Sequence, residues 1–157
     1  MASVFSPEAE VEFRRILSCY PTKQAAMLPT LHLAQREFGW ISPEAMRYVA
    51  GLLELPPIKV YEVVTFYTMY HQKPPGRHVV ECCATLPCAL NGAEALLQHL
   101  ENSLGVRAGE TTPDGRITLK KVECMAACGG APCLQVDGAY HENLTLGMAD
   151  QLLAGLA

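Results

Sequence analysis

The sequence contains no stretch of the ~20 consecutive apolar residues that a membrane-spanning helix requires, so direct insertion into a bilayer is not expected. Nor does it hold a clustered excess of positive charge. Twelve Lys and Arg against 16 Asp and Glu give a formal net charge of -4, and the pair Lys120 and Lys121 stands isolated. Nucleic-acid binding, which neutralises phosphates with grouped cations, is therefore argued against. Residues 1–18 lack the basic start and unbroken apolar run of a secretory signal, which leads to the expectation of a cytoplasmic protein. No G-x-G-x-x-G follows a strand pattern, so no nicotinamide or flavin site is expected on this chain. No C-x-x-C occurs either, which argues against a thioredoxin-type disulfide catalyst.

What is present is cysteine: seven among 157 residues, in a chain that is 50% apolar and 18% charged. A chain of this length buries roughly 70% of its unfolded surface on folding, so a core needs no disulfide staples. With an odd count and no export signal, the thiols are expected to bind metal or do redox chemistry.

Apolar periodicity predicts a helix over 7–18, with Val11, Phe13, Ile16 and Leu17 as its apolar residues and Pro7 in the first turn. A second helix is predicted from Lys23 to Phe38 on a stripe of Ala26, Met27, Thr30, Leu31, Ala34 and Phe38, with Gly39 as its stop. Ser42, Pro43 and Glu44 form a helix start for a third, running to about Leu53. Beyond Pro56 and Pro57, the run to Tyr70 reads as a short fourth helix leading into an extended segment. QKPPG at 72–76 is a linker, which divides the chain into a helical domain over 1–75 and a second domain over 76–157. In the second, strands are predicted at 78–83, 117–122, 132–136 and 139–141, the last two joined by an Asp137-Gly138 turn. Helices are predicted at 92–104 and 146–155, the latter capped by Thr145 with Leu146, Ala149, Leu152 and Leu153 inward. The expected fold class is α+β: a helical bundle followed by a small α/β layer.

Cys83 and Cys88 sit between a strand and a helix, and Cys124 and Cys128 follow another strand. Two loops at equivalent ends of adjacent strands can bring four thiolates to one 2Fe-2S cluster. Small neighbours, Ala84, Ala126, Ala127, Gly129 and Gly130, would let backbone N–H groups approach the sulfurs, and Thr85 offers a hydroxyl. Zinc is the competing reading, as in a zinc-stabilised interaction module; the intervals of four and three residues inside the pairs lean toward iron, since zinc knuckles favour two. A Rieske site would need two histidines, and His32, His71, His78, His99 and His141 all lie outside both loops. Cys82 remains an alternative to Cys83, and Cys133 an alternative partner for Cys128. Otherwise Cys82 and Cys133 are expected in the core, and Cys19 as a buried or half-buried thiol at a helix end.

The strings CATLPCALNGAE at 83–94, GETTPDGRITLKKVEC at 109–124, APCLQV at 131–136, REFGWISPEA at 36–45 and VVTFYTMY at 63–70 closely resemble the thioredoxin-like 2Fe-2S ferredoxin subunit of NADH:quinone oxidoreductase, the E-subunit family of complex I. The resemblance covers nearly the whole chain. It implies a thioredoxin-like second domain and places the ligands on Cys83, Cys88, Cys124 and Cys128. It also implies single-electron exchange with the flavin of a partner NADH-binding subunit, further iron-sulfur subunits alongside, and a peripheral location on the cytoplasmic face of the inner membrane. The aromatics Phe66, Tyr67 and Tyr70 are similar to a docking segment for that partner, or else close a core. An equivalent subunit of a soluble NAD-linked hydrogenase or formate dehydrogenase uses the same domain. One departure stands out: Ala126 occupies a position where the family often has Gly, and a positive φ there would strain an alanine by about 1 kcal/mol.

Overall fold

A computed structural model describes residues 4–156, and the chain divides into two compact units, Met1–Pro74 and Pro75–Ala157.

The first unit is helical. Helix α1, Pro7–Ser18, starts where the Ser6 hydroxyl accepts the Ala9 N–H at 3.2 Å. It buries Ala9, Phe13 and Ile16 at helical spacing, whereas Val11 falls on the opposite side and is exposed, as two residues' rotation from Ala9 requires. Helix α2, Met27–Phe38, begins four residues later than the periodicity predicts. The reason is Pro29. A helix begun at Lys23 would set Pro29 in its interior, without an N–H to donate and in collision with the carbonyl of Ala25; a start at Met27 places it in the first turn, where no donor is needed. Residues 23–26 form turns instead, the first braced by the Thr22 hydroxyl accepting the Ala25 N–H. Gly39 closes α2 in the left-handed region.

Helix α3, Pro43–Leu53, is capped by the Ser42 hydroxyl on the Ala45 N–H at 3.0 Å, and α4, Pro57–Phe66, gives way to extended backbone at Tyr67. Leu31, Leu33, Ile41, Val49, Leu53, Val60 and Val64 fill the core of this unit. Tyr70 joins them, its hydroxyl donating to the Leu28 carbonyl at 2.9 Å, while Phe66 is exposed. Cys19 lies one residue past the end of α1 and is exposed rather than buried.

The second unit is a sheet covered by helices. Strands β1 (His78–Cys83), β2 (Ile117–Val122), β3 (Leu134–Val136) and β4 (Ala139–His141) lie in the order β2-β1-β3-β4, with β1 and β2 parallel and the other pairs antiparallel. Alternation sends Val80 and Cys82, Ile117 and Leu119, and Leu134 and Val136 into one cluster with Leu96 and Leu100 of helix α6 (Ala93–Leu104) and Ala149 of helix α7 (Leu146–Ala154). Each fully buried leucine contributes roughly 1.5–3 kcal/mol through removal from water. Leu152 and Leu153 are partly buried, but Leu146, at the first turn of α7, is exposed. Asp137 and Gly138 both take positive φ, 51° and 86°, as a tight hairpin turn demands. Two short elements are absent from the sequence reading: a five-residue helix α5, Leu86–Leu90, and a 3-10 turn at Cys128–Gly130. The third strand also begins at Leu134, two residues after Pro132.

Candidate metal centre

The parallel pairing of β1 and β2 runs in register from His78 opposite Ile117 to Cys83 opposite Val122. Both strands therefore end at the same level, and both cysteine-bearing loops open at one end of the sheet. The Ala84 N–H donates to the Val122 carbonyl at 3.1 Å, so the first loop leaves only after β2 has ended. On the other side of β1, the Cys83 N–H donates to the Cys133 carbonyl at 3.2 Å, which fixes Cys133 beside Cys83 just before β3.

Helix α5 turns Cys88 inward and its flanking Leu86 and Leu90 outward; Cys88 is 1% exposed and the leucines 70% and 77%. The thiols of Cys83, Cys88 and Cys133 thus lie mutually within 4.8 Å, and the Cys88 and Cys133 sulfurs stand 3.8 Å apart. Ala93 and the partly buried Met125, Ala127 and Ala131 pack around them. Cys124 and Cys128 form a second, exposed pair within hydrogen-bonding reach of each other, and Cys128 feels the charge of Cys83 and Cys88. The structure therefore brings together three buried thiols, Cys83, Cys88 and Cys133, while Cys124 and Cys128 of the predicted set are exposed and outside that group. Cys82 points into the core, its thiol donating to the Cys83 carbonyl at 3.8 Å. Cys133 is buried, as expected of a core residue, but its neighbours are thiols.

Desolvation raises the Cys83 thiol, but donors outweigh it: the Thr85 hydroxyl at 3.4 Å, the backbone N–H groups of Thr85 and Met125, and the Cys88 thiol bring it down to about 7. Burial pushes Cys133 up to about 12, and Cys82 likewise. Cys88 is raised by burial and by Cys83. Cys83 is accordingly the thiol most readily deprotonated among these, and the thiolate is the form that binds metal.

The second loop is held by its neighbours. The Ala126 N–H donates to the Cys124 sulfur at 3.3 Å, and the Tyr140 hydroxyl of β4 donates to the Met125 carbonyl at 2.8 Å. The Asn143 N–H reaches the Gly130 carbonyl at 2.6 Å, and the Leu144 N–H the Pro132 carbonyl at 3.1 Å. Neither Tyr140 nor Asn143 carries a signal in the sequence that would mark it as a support of this loop. Ala126 has φ 61°, the left-handed conformation. Replacing Ala126 by Gly is therefore expected to stabilise the protein by about 1 kcal/mol, read as a higher thermal midpoint; an unchanged or lower midpoint would show that the strain is not stored at this residue.

A set of thiols with small neighbours and inward N–H donors suits a soft, sulfur-ligated iron centre. Among the described residues, no histidine or carboxylate joins the buried group. The residues fit a 2Fe-2S cluster.

Comparison with known proteins agrees with this donor chemistry. The model of the thioredoxin-like [2Fe-2S] ferredoxin family matches residues 13–157. The chain is 46% identical over 134 residues to the NADH-quinone oxidoreductase E-subunit 2 of Rhizobium meliloti (strain 1021), covering 85% of this chain and 80% of that protein. It is 40% identical over 141 residues to the NADH-quinone oxidoreductase E-subunit of Rickettsia felis (strain ATCC VR-1525 / URRWXCal2), covering 88% and 84%. Among solved structures, an NAD+-reducing [NiFe]-hydrogenase in the air-oxidised state shares the fold with a TM-score of 0.73 at 23% identity, over 83% of this chain and 22% of the hydrogenase chain. This chain thus spans about a fifth of that hydrogenase chain.

Proposed function

The chain belongs to the thioredoxin-like [2Fe-2S] ferredoxin family and carries a 2Fe-2S cluster, and from that premise we propose that Cys83, Cys88, Cys124 and Cys128 hold it in an electron-transfer subunit of NADH:quinone oxidoreductase. When bound, the cluster supplies one-electron chemistry. Carrying this reading is the common end of β1 and β2, where both cysteine loops open. Cys83 and Cys88 would hold the inner side, where water is excluded, and Cys124 and Cys128 the outer. The N–H groups of Met125 and Ala126, which face the Cys83 and Cys124 sulfurs, would steady the ligand sulfurs as negative charge arrives.

The electron partner in this reading is the flavin of a neighbouring NADH-binding subunit, with further iron-sulfur subunits beyond it. This chain itself offers no NADH or flavin site, because no glycine-rich phosphate loop follows a strand. Among the described residues no helix is long and apolar enough to cross a membrane, and attachment to the cytoplasmic face of the inner membrane would come through the complex. The relatives at 40% and 46% identity favour this assembly over a soluble hydrogenase, to which the likeness is 23%.

The test compares the isolated holoprotein with the complex purified through a tag on this chain. The isolated protein should be brown, bleach with dithionite and ignore NADH, whereas NADH should reduce the cluster in the complex, which should contain a flavoprotein and a quinone-reducing module. A colourless protein with one zinc, or a hydrogenase or formate dehydrogenase large subunit in the complex, would reject the proposal.

A further inference from the structure

Cys133 has no place among the four ligands, yet its sulfur is 3.8 Å from that of Cys88, and the residue is fully buried. We infer that the Cys133 thiol donates a hydrogen bond to the Cys88 sulfur and so acts as a positioning residue that raises the reduction potential of the centre. This rests on the reading that Cys88 is a ligand and deepens it. In the free thiols either sulfur could donate, but a cysteine that holds metal has given up its proton and can only accept. The direction of the bond is then decided by which sulfur stays off the metal.

The backbone holds Cys133 in place. Its carbonyl accepts from the Cys83 N–H on one side, and the preceding Pro132 carbonyl accepts from Leu144. The Cys133 backbone therefore cannot move away without breaking these hydrogen bonds. An S–H group is a weak donor, but a dry setting strengthens any hydrogen bond. Donors to ligand sulfurs favour the reduced, more negative form and raise the potential. Cys82 supplies a control within the same molecule: it is equally buried, but its thiol donates to the Cys83 carbonyl instead.

The test is a redox titration of full-length holoprotein, followed by the electron paramagnetic resonance of the reduced cluster, in Cys133→Ala, Cys133→Ser and Cys82→Ala variants. All three should keep full iron. Cys133→Ala should become harder to reduce by roughly threefold in the equilibrium constant, about 28 mV at 59 mV per decade for one electron. Cys133→Ser, which restores a donor, should return toward the parent value, and Cys82→Ala should leave the potential in place. With iron retained, an unchanged or more positive potential in Cys133→Ala, or an equal shift in Cys82→Ala, would overturn this inference alone. Loss of iron from both Cys133 variants would make Cys133 a ligand and overturn the four-ligand reading with it.

Discussion

Serine in place of Cys88 is expected to strip the protein of its iron and its colour. The position is 1% exposed, so no water can stand in for the missing sulfur, and a serine hydroxyl is a harder, more reluctantly ionised ligand than a thiol. Cys83→Ser should behave in the same way, with the further loss of a thiol lowered to about 7. Cys124→Ser and Cys128→Ser complete the set, although their exposure makes partial occupancy easier to restore with excess iron. Cys19→Ser should retain full iron, since Cys19 lies past the end of α1 in the other unit. Iron per protein and visible absorbance are the measurements. Full iron in Cys88→Ser would sink that assignment, and full iron there together with loss of iron in Cys133→Ser would move the ligand from 88 to 133.

Gly130→Ala should damage the centre without touching a sulfur. A Cβ at 130 would lie 2.6 Å from both Cβ and Cδ of Glu142 and closer still to its Oε2. The carboxylate end can swing away, but the Glu142 Cβ moves only with the backbone. That backbone leads directly into Asn143, whose N–H binds the Gly130 carbonyl. Overpacking of this kind costs about 1–3 kcal/mol, and here the strain falls on the turn that presents Cys128. The expected result is a lower thermal midpoint and faster loss of iron to a chelator. Adding Glu142→Gly removes the opposing Cβ and should recover most of the loss, a coupling that a double-mutant cycle measures. Equal damage in the single and double variants would show that the contact is not the cause.

The sequence is most legible where one local rule decides. Pro7 in the first turn of α1, the Ser42 cap, the strands β1 and β2, and the Asp137-Gly138 turn all lie where pattern and turn chemistry put them. Misreadings arise where two rules compete. At α2 the apolar stripe extends back to Ala26, but Pro29 limits how early a helix can begin. At Leu86–Leu90 a helix forms with only Cys88 buried, so no periodic apolar face announces it. At Val11 and Leu146, apolar residues on otherwise amphipathic helices are left outside.

The pairs Cys83 with Cys88 and Cys124 with Cys128 can be read from spacing because each belongs to one loop. Cys133 cannot be placed so simply. Its nearness to Cys88 depends on the antiparallel pairing of β3 with β1, a contact between distant parts of the chain. A positive φ at Ala126 is foreseeable from the glycine that the resembling family often has there, and its φ of 61° bears that out.

The matched ends of β1 and β2 have a consequence for recognising such centres elsewhere. Hydrogen bonds across the two strands set where both loops begin, regardless of how much chain connects them. A longer crossover would add little, since doubling a flexible connection costs only about 0.6 kcal/mol. The interval within each cysteine pair is rigid, while the distance from one pair to the next is free to grow or shrink. A search pattern that insists on a constant total length would overlook true members of this architecture.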